Sequence, residues 1–545
     1  MNYGRNMEAK IQELVKILGA EKVSTQPADK IAYARDLWTY LQIGFGETDQ
    51  KTSSLRPSRA YGPEGPSVQP PSHLTTSLPV EYPPDAIAWP ESAEEVARVL
   101  KWAGKNGVPV IPFGAGSGVC GGTVPIKGGL ILDLKRMDKI IGIDENSLLA
   151  TVQSGIMGEI LERRLNERGF SLGHFPSSIY CSTLGGWLAG RSAGQLSTKY
   201  GKIEDMVLGL EVVLPSGEIM NTRVTPRAAT GPDLKQLFVG SEGIFGVITQ
   251  ATMEIHREPE TRTFFAMEFK GISPALGAIR TVLQRGIKPA VARLYDELDT
   301  FLVGSRGKEI GDLPLPDGKG KGEGITTRLR DEILKKGERF FLTRPKMLNR
   351  LAALAPEKCL LILVFEGFSE QVKVEETEAR ALGEKAGGAF LGPDPGLAWW
   401  ESRYAVSYQL SKIFTAGAFA DTIEVSTTWS NLEKLYYSMR EAVSPHALIM
   451  AHFSHAYTTG CSIYFTTVAQ APTAEEKRKL YELIWKAAMD ACARAGGSIS
   501  HHHGIGKLKG PWMVEEWGTA GMETLRALKR TFDPRGIMNP GKLGI

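Results

Sequence analysis

The spacing of apolar and polar residues changes several times along the chain, and each change marks an element. IQELVKIL (11–18) has apolar positions three and four apart and predicts a helix closed by Gly19, with a second helix from Ala28. Residues 50–84 are rich in Ser, Pro and Gly, carry little periodicity and predict a long surface connection. From Ala86 the pattern becomes strand (AIAWP), helix (AEEVARVLKWAGKNG, capped by Ser92) and strand (VPVIPF). LATVQSGIMG (149–158) predicts a strand and turn, and EILERRLNERG a helix ended by Gly169. MVLGLEVVLPSGEIMN (206–221) predicts two strands about a Pro-Ser-Gly turn. The following segment to Ile255 closes an α+β unit near residue 258. Beyond it, strand FFAMEF and helix PALGAIRTVLQRG precede a Gly/Lys/Asp-rich insertion at 303–330. Strand CLLILVFEG, helix SEQVKVEETEARALGEKAG, strands near 447–467 and helix TAEEKRKLYELIWKAAMDACARAG follow. The tail from Met522 predicts one helix stopped by Asp533-Pro534.

These patterns divide the chain into N-terminal helices and a connection (1–84), a first α+β domain (85–258), a second sheet domain covered by helices (259–500) and a C-terminal segment (501–545). A length of 545 residues fits two to four domains. The net charge of +3 is too small to imply a nucleic-acid partner. There is no apolar run long enough for a transmembrane helix and no secretory signal pattern, so the cytoplasm is the expected compartment, with peripheral membrane contact as the variant. The five cysteines are scattered without C-x-x-C, which excludes an iron–sulfur or zinc site built from cysteines of this chain.

The densest chemical signal is VPVIPFGAGSGVCGGTVPIKGGLILD (108–133). Glycines at 114, 116, 118, 121 and 122 let the backbone approach a ligand, and successive N–H groups suit phosphate oxygens. The spacing Gly116-x-Gly118-x-x-Gly121 matches a Rossmann fingerprint. That fingerprint requires a helix straight after the glycines, and Pro125, Gly128-Gly129 and Leu130-Ile131-Leu132 predict turn and strand instead. NAD in a Rossmann domain is rejected here. A second glycine-dense segment covers 173–201, and a third, SEGIFG, lies at 241–246.

Three such segments in this order resemble the vanillyl-alcohol-oxidase type of flavoprotein over roughly residues 85–545. The resemblance implies an α+β fold, with a two-part FAD-binding domain and an α/β cap domain built on an antiparallel sheet. It implies FAD held by Pro112, Phe113, Gly114, Ala115, Gly116, Ser117 and Gly118 at the pyrophosphate. Ser177, Ser178, Ile179, Tyr180, Cys181, Ser182, Thr183, Gly186, Trp187, Leu188 and Ala189 would line the flavin and ribityl chain. Glu242, Gly243, Ile244, Phe245, Gly246, Val247 and Ile248 would meet the adenine-ribose end. FAD is expected to be noncovalent, with His174 and Cys181 the positions to check for attachment.

Within that family the chain is most similar to the alkyldihydroxyacetonephosphate synthases, through HHHGIGKL (501–508), CSIYF (461–465), HFSH (452–455) and VARL (291–294). The resemblance maps a catalytic tyrosine to Tyr464, a histidine cluster to His501, His502 and His503, and an arginine to Arg293. The synthases' Arg-Asp pair before DTIEVSTTW reads Leu410-Ser411 here, with Lys412 nearby, and lysine does not reproduce a bidentate guanidinium. His503 is the candidate base, since imidazole exchanges a proton near neutral pH. Arg293 is the candidate anion holder, its alternative an ion pair with Asp296 or Glu297; Tyr464 is otherwise a core aromatic. The metal pattern of related hydroxy-acid dehydrogenases is incomplete, because Thr459 and His502 stand at two of its positions. A His452, His455, His502 site is the chemical alternative, and no metal is assigned.

The expected function is FAD-dependent oxidation of a small 2-hydroxy acid or similar alcohol. Its electrons would pass to oxygen, a quinone, an electron-transfer flavoprotein or a separate iron–sulfur subunit, in a homodimer. The alternative is the synthase reaction, exchange of the acyl group of acyl-dihydroxyacetone phosphate for a fatty alcohol. A non-catalytic flavin-binding module is the third class.

Overall fold

The computed structural model describes residues 2–43, 81–301, 345–352, 357–404, 413–414 and 417–545. Most of the connection expected at 50–84, the insertion at 303–330 and Leu410, Ser411 and Lys412 lie outside them.

The first sheet joins β1 (Val23–Ser24), β2 (Ala86–Ala88), β3 (Val110–Phe113) and β4 (Leu130–Asp133) in the order β1-β2-β4-β3. β2, β4 and β3 run parallel. The two glycine-flanked runs of the sequence are therefore neighbouring parallel strands, and the loop between them emerges at one sheet end. Helix Ala93–Asn106 makes the crossover. The Ser92 hydroxyl caps it by accepting from Glu95 N–H at 3.3 Å, and Gly107 ends it at φ 61°. Val96, Val99 and Leu100 of this helix are fully buried, each contributing about 1.5–3 kcal/mol. An aspartate at Val99 would place an unpaired charge there and undo the packing. The chain's end returns to the same sheet: Val110 N–H donates to Ile537 O (2.8 Å), and Asn539 N–H to Val110 O (2.9 Å).

A second, antiparallel sheet holds β5 (Ile140–Asp144), β6 (Leu149–Gln153), β8 (Val207–Val213), β9 (Ile219–Asn221) and β10 (Val247–Glu254), in the order β5-β6-β10-β8-β9. β7 (Phe170–Ser171) pairs separately with β11 (His256–Arg257).

The third sheet is antiparallel and seven-stranded: β12 (Thr261–Lys270), β13 (Val291–Tyr295), β14 (Lys358–Gly367), β15 (Ala389–Gly392), β16 (Phe419–Thr428), β17 (Leu448–Ala456) and β18 (Gly460–Ala469), in the order β15-β12-β14-β13-β17-β18-β16. Period-2 alternation gives it two faces. Ile463 and Phe465 of β18 are fully buried in the same apolar core as Leu435 and Ala488 of helices Leu432–Val443 and Ala474–Ala495. Tyr464, between them, looks the other way. The fold is α+β with an antiparallel cap sheet, as the resemblance implied.

Residues 33–43 differ from expectation. They form a strap between the domains. Leu37 N–H donates to Gly118 O (2.9 Å), Trp38 Nε1 to the Tyr481 hydroxyl (3.0 Å) and Thr39 Oγ1 to Asp421 Oδ1 (3.2 Å). No apolar period announces such a segment; these polar bonds and the burial of Trp38, Leu41 and Ile43 in the main apolar core hold it in place.

Candidate active site

A cavity of about 2710 Å³ lies between the glycine loop and the free face of the cap sheet. One ligand site typically occupies about 300–1,000 Å³, so there is room for a dinucleotide and a substrate together. Pro112 to Gly118 line one wall. The N–H groups of Ala115, Gly116, Ser117 and Gly118 donate to no acceptor among the described residues, which leaves a row of free donors for diphosphate oxygens. Gly116 and Gly121 have φ of 67° and 75°. A Cβ on Gly114 would overlap the Thr183 hydroxyl, so this loop packs against the Thr183 side chain of the second glycine segment because Gly114 has none of its own. The cradle fits a dinucleotide diphosphate.

Strand register builds the opposite wall. Tyr295 of β13 faces His452 of β17, His452 faces Tyr464 of β18, and Tyr464 faces Glu424 of β16. Directly opposed residues share a face, so these four form one row across the sheet. The His452 and Tyr464 rings stack with centroids 4.7 Å apart. Arg293, two residues before Tyr295, joins that face. Its Nε donates to the Tyr295 hydroxyl and its Nη2 to His452 Nε2, both at 2.8 Å. His452 therefore carries its proton on Nδ1, which lies 3.5 Å from Asp299. His455 sits where β17 bulges, at φ 54°, with Nδ1 2.7 Å from the Ser197 hydroxyl. A positive φ at a non-glycine residue costs energy and is held here by the surrounding sheet.

Residues 501–508 close the cavity, and two buried carboxylates hold them. Glu424 accepts from the N–H groups of His501, His502 (3.3 Å) and His503 (3.0 Å), from the Ser500 hydroxyl (2.8 Å) and from Lys509 Nζ (2.6 Å). Glu242, at φ 50°, accepts from Ile505 N–H (2.6 Å) and Gly506 N–H (2.9 Å to Oε2). Lys507 N–H and Leu508 N–H then donate to Cys120 O at 3.0 and 3.1 Å, docking the histidine loop on the glycine loop. The His503 ring stands edge-on to Tyr464, with centroids 5.5 Å apart.

Burial sets the protonation states. It pushes the His503 imidazole down to about 4, against the opposing pull of Glu424. Burial also depresses His501, His502, His452 and His455 well below the ordinary imidazole value; at His452 the Arg293 charge adds to it. Burial raises the Tyr464 phenol to about 12, so it keeps its proton at neutral pH. For Glu424 burial acts upward, but Lys509 and the other positive partners outweigh it and hold the carboxyl well below its usual range. The wall thus carries neutral imidazoles able to accept a proton, one phenol able to donate, and the permanent charge of Arg293.

The model for the C-terminal domain of FAD linked oxidases matches residues 258–543, and the model for an FAD binding domain matches 84–223. Alkyldihydroxyacetonephosphate synthase of Trypanosoma brucei brucei is 32% identical over 476 residues, covering 85% of this chain and 74% of that protein. The chain belongs to the FAD-linked oxidase family. The glycolate oxidase subunit GlcD of Bacillus subtilis (strain 168) is 28% identical over 84% of this chain and 89% of its own length. A solved alkyldihydroxyacetonephosphate synthase superposes with a TM-score of 0.71 at 27% identity, covering 98% of this chain and 84% of that one. FAD is the cofactor of this member of the FAD-linked oxidase family, and the free donors of the glycine loop suit a diphosphate.

Most, though not all, of the sequence-derived positions reach the cavity. Ser177, Ser178, Tyr180, Cys181, Thr183, Gly186, Trp187, Ala189, Glu242, Gly243, Gly246 and Ile248 line it, with Arg293, Tyr464, His502 and His503. Ile179, Leu188, Ile244, Phe245 and Val247 are buried in apolar cores behind the wall. Ser182 is buried as well, donating to Ser178 O (2.7 Å) and accepting from Trp187 Nε1 (2.8 Å). His501 stands off the cavity with Nε2 3.1 Å from the Tyr457 hydroxyl. The Glu242 carboxylate is taken up by the histidine loop, and its backbone is paired as well, N–H donating to Ala189 O (3.0 Å) and C=O accepting from Asn539 Nδ2 (2.6 Å), so it positions the wall rather than offering a free group to a nucleotide. Arg293 forms no pair with Asp296, whose carboxylate is held by Arg440 at 2.6 Å. Among the described residues no three His, Cys, Asp or Glu side chains are placed to hold a metal. His452, one of the three considered, is occupied by Arg293. His174 is buried, its Nε2 2.8 Å from the Ser192 hydroxyl, whereas Cys181 is exposed. Sequence reasoning missed the buried pair Glu424 and Lys509 behind the wall, and, in the wall itself, Asp299, Trp399 and the strap residues Arg35, Asp36, Leu37, Thr39, Gln42 and Ile43.

Proposed function

We propose that this FAD-linked oxidase oxidises a small 2-hydroxy acid or a similar anionic alcohol. Bound FAD supplies the hydride acceptor. Arg293 holds the substrate anion, pre-oriented by Tyr295 and His452. His503 accepts the hydroxyl proton, and the protonated Tyr464 donates a hydrogen bond to the substrate oxygen. A neutral imidazole of depressed basicity suits this role, because the incoming anion raises its proton affinity when it is needed. The observation that carries the reading is the placement of cation, donor and base on one cavity wall, with the Arg293 guanidinium 2.8 Å from His452 and the His503 ring 5.5 Å from Tyr464. The likeness to a glycolate oxidase subunit supports it. Electrons would leave to oxygen, a quinone or a separate acceptor protein.

The second reading is the synthase exchange, favoured by the 32% identity and by a cavity roomy enough for a chain, with Trp399, Phe414, Phe419 and Val468 among its apolar lining. Anaerobic mixing distinguishes the two. Bleaching of the flavin by short 2-hydroxy acids supports oxidation. Incorporation of a fatty alcohol into acyl-dihydroxyacetone phosphate without net bleaching supports exchange. His503→Ala should abolish turnover with FAD still bound, and unchanged turnover would refute its role as base.

A further inference from the structure

Glu424 lies at the centre of the site without lining the cavity, and its surroundings exceed what a loop clamp needs. It and Lys509 are both 0% exposed, an ion pair in full burial. Taking two charges out of water is costly, and apolar residues often hold a loop as well. The His503 Nδ1 is buried without a hydrogen-bond partner, and the Glu424 Oε1 lies 3.8 Å from it. The ring itself lines the cavity. One nitrogen therefore looks back toward a fixed carboxylate from a residue that lines the cavity.

We propose that Glu424 is a positioning residue that pairs with His503 as a carboxylate–imidazole dyad, fixing Nδ1–H toward Oε1 so that Nε2 offers its lone pair to the substrate hydroxyl. This rests on the reading of His503 as the base. When the hydroxyl proton moves to Nε2, the O–H bond breaks, an N–H bond forms, and the imidazolium closes on the carboxylate by about 1 Å, to the length of a charge-assisted hydrogen bond. Oε1 already accepts from Lys509, His503 N–H and the Ser500 hydroxyl. The Ser500 hydroxyl has a second acceptor, Gly504 O at 3.1 Å, so its place can be yielded. Lys509 keeps the carboxylate ionised through the cycle. The charged and titratable groups around His503 are Glu424 on β16, Lys509, His502 and His501 on its own segment and Tyr464 on β18, with Glu242 clamping the glycines that follow. Glu424 is the carboxylate held ionised, whereas burial pushes the Glu242 carboxyl upward and its oxygens are spent on Ile505 and Gly506.

The test compares FAD-loaded wild type, Glu424→Gln and Glu424→Gln/Lys509→Met. The double variant leaves no unpaired buried charge and is read in place of the single one if that fails to fold. The dyad requires FAD to stay bound, kcat to fall about 10- to 100-fold with KM nearly unchanged, and the acid limb of kcat/KM to move about one unit lower, because a carboxylate that favours imidazolium has gone. Nitrogen NMR of the His503 ring, assigned with His503→Gln, should show the Nδ1–H tautomer in wild type and lose that preference in the variant. A folded variant with wild-type kcat, pH limb and tautomer overturns the proposal, as does failure of both variants to hold FAD, which would reduce the pair to a structural clamp. Turnover surviving in His503→Ala would instead sink the assignment of the base.

Discussion

Gly506→Ala tests whether the two loops that frame the cavity depend on one another. Gly506 has φ 54°, and a Cβ there would lie 2.7 Å from the Cys120 carbonyl carbon and 3.0 Å from Gly122 N, closer still to the Cys120 oxygen. All three atoms are backbone, so no rotamer change relieves the overlap. The left-handed conformation costs alanine about 1–2 kcal/mol, and forcing atoms into a packed contact typically costs about 1–3 kcal/mol more. The bonds at risk are those from Lys507 and Leu508 N–H to Cys120 O. If that strain is relieved by parting the loops, the cradle opens. At about 1.4 kcal/mol per tenfold, FAD should then bind at least about 30-fold more weakly. The assay is titration of apoprotein with FAD, followed by flavin fluorescence. Gly107→Ala is the control, since Gly107 has φ 61° but nothing within 4 Å of its Cβ; it carries only the conformational cost and should leave FAD affinity unchanged. Wild-type FAD affinity in Gly506→Ala would refute the reasoning, because the glycine and histidine loops could then not be docked as described.

Arg293→Lys keeps the charge but loses the fork that reaches both Tyr295 and His452; KM for an anionic substrate should rise about 10- to 100-fold, the worth of a charge-assisted hydrogen bond or two, and steady-state kinetics with unchanged KM would count against the arginine as anion holder. Stability should fall on acidification. The folded-state value of His503 is lowered to about 4, so between about 6.5 and 4 the unfolded chain binds the extra proton and folding loses ground as pH drops, whereas above about 6.5 this histidine contributes no slope. Glu424 acts in the same direction at lower pH, its stabilisation present above the unfolded carboxylate value and lost as pH falls through its depressed folded value. Melting temperatures of wild type and His503→Gln from pH 7 to 4 check this: the variant should show the shallower decline, and parallel curves would contradict the buried neutral imidazole.

What the sequence discloses, and what it hides, follows from how local each feature is. The loop at 112–118 and the triplet at 501–503 are legible because their glycines sit beside their functional groups, and Gly116 and Gly504 do adopt positive φ. Helix Ala93–Asn106 is legible down to its caps at Ser92 and Gly107, since capping is chemistry of adjacent residues. Glu424 is hidden because it looks like one more polar position in an alternating strand, and its partners lie 76 to 85 residues away. The bulge that turns His455 at φ 54° has no glycine to announce it. The buried hydrophobics Ile244, Phe245 and Val247 look like part of a glycine motif in sequence, although it is their neighbours Glu242, Gly243, Gly246 and Ile248 that reach the cavity.

A structure of the FAD-loaded protein would test the central claim most directly. The account requires the diphosphate oxygens within hydrogen-bonding distance of the N–H groups between Ala115 and Gly118, and the isoalloxazine extended across the cavity toward Tyr464 and His503. A diphosphate bound elsewhere, or a flavin ring turned away from the histidine loop, would contradict it.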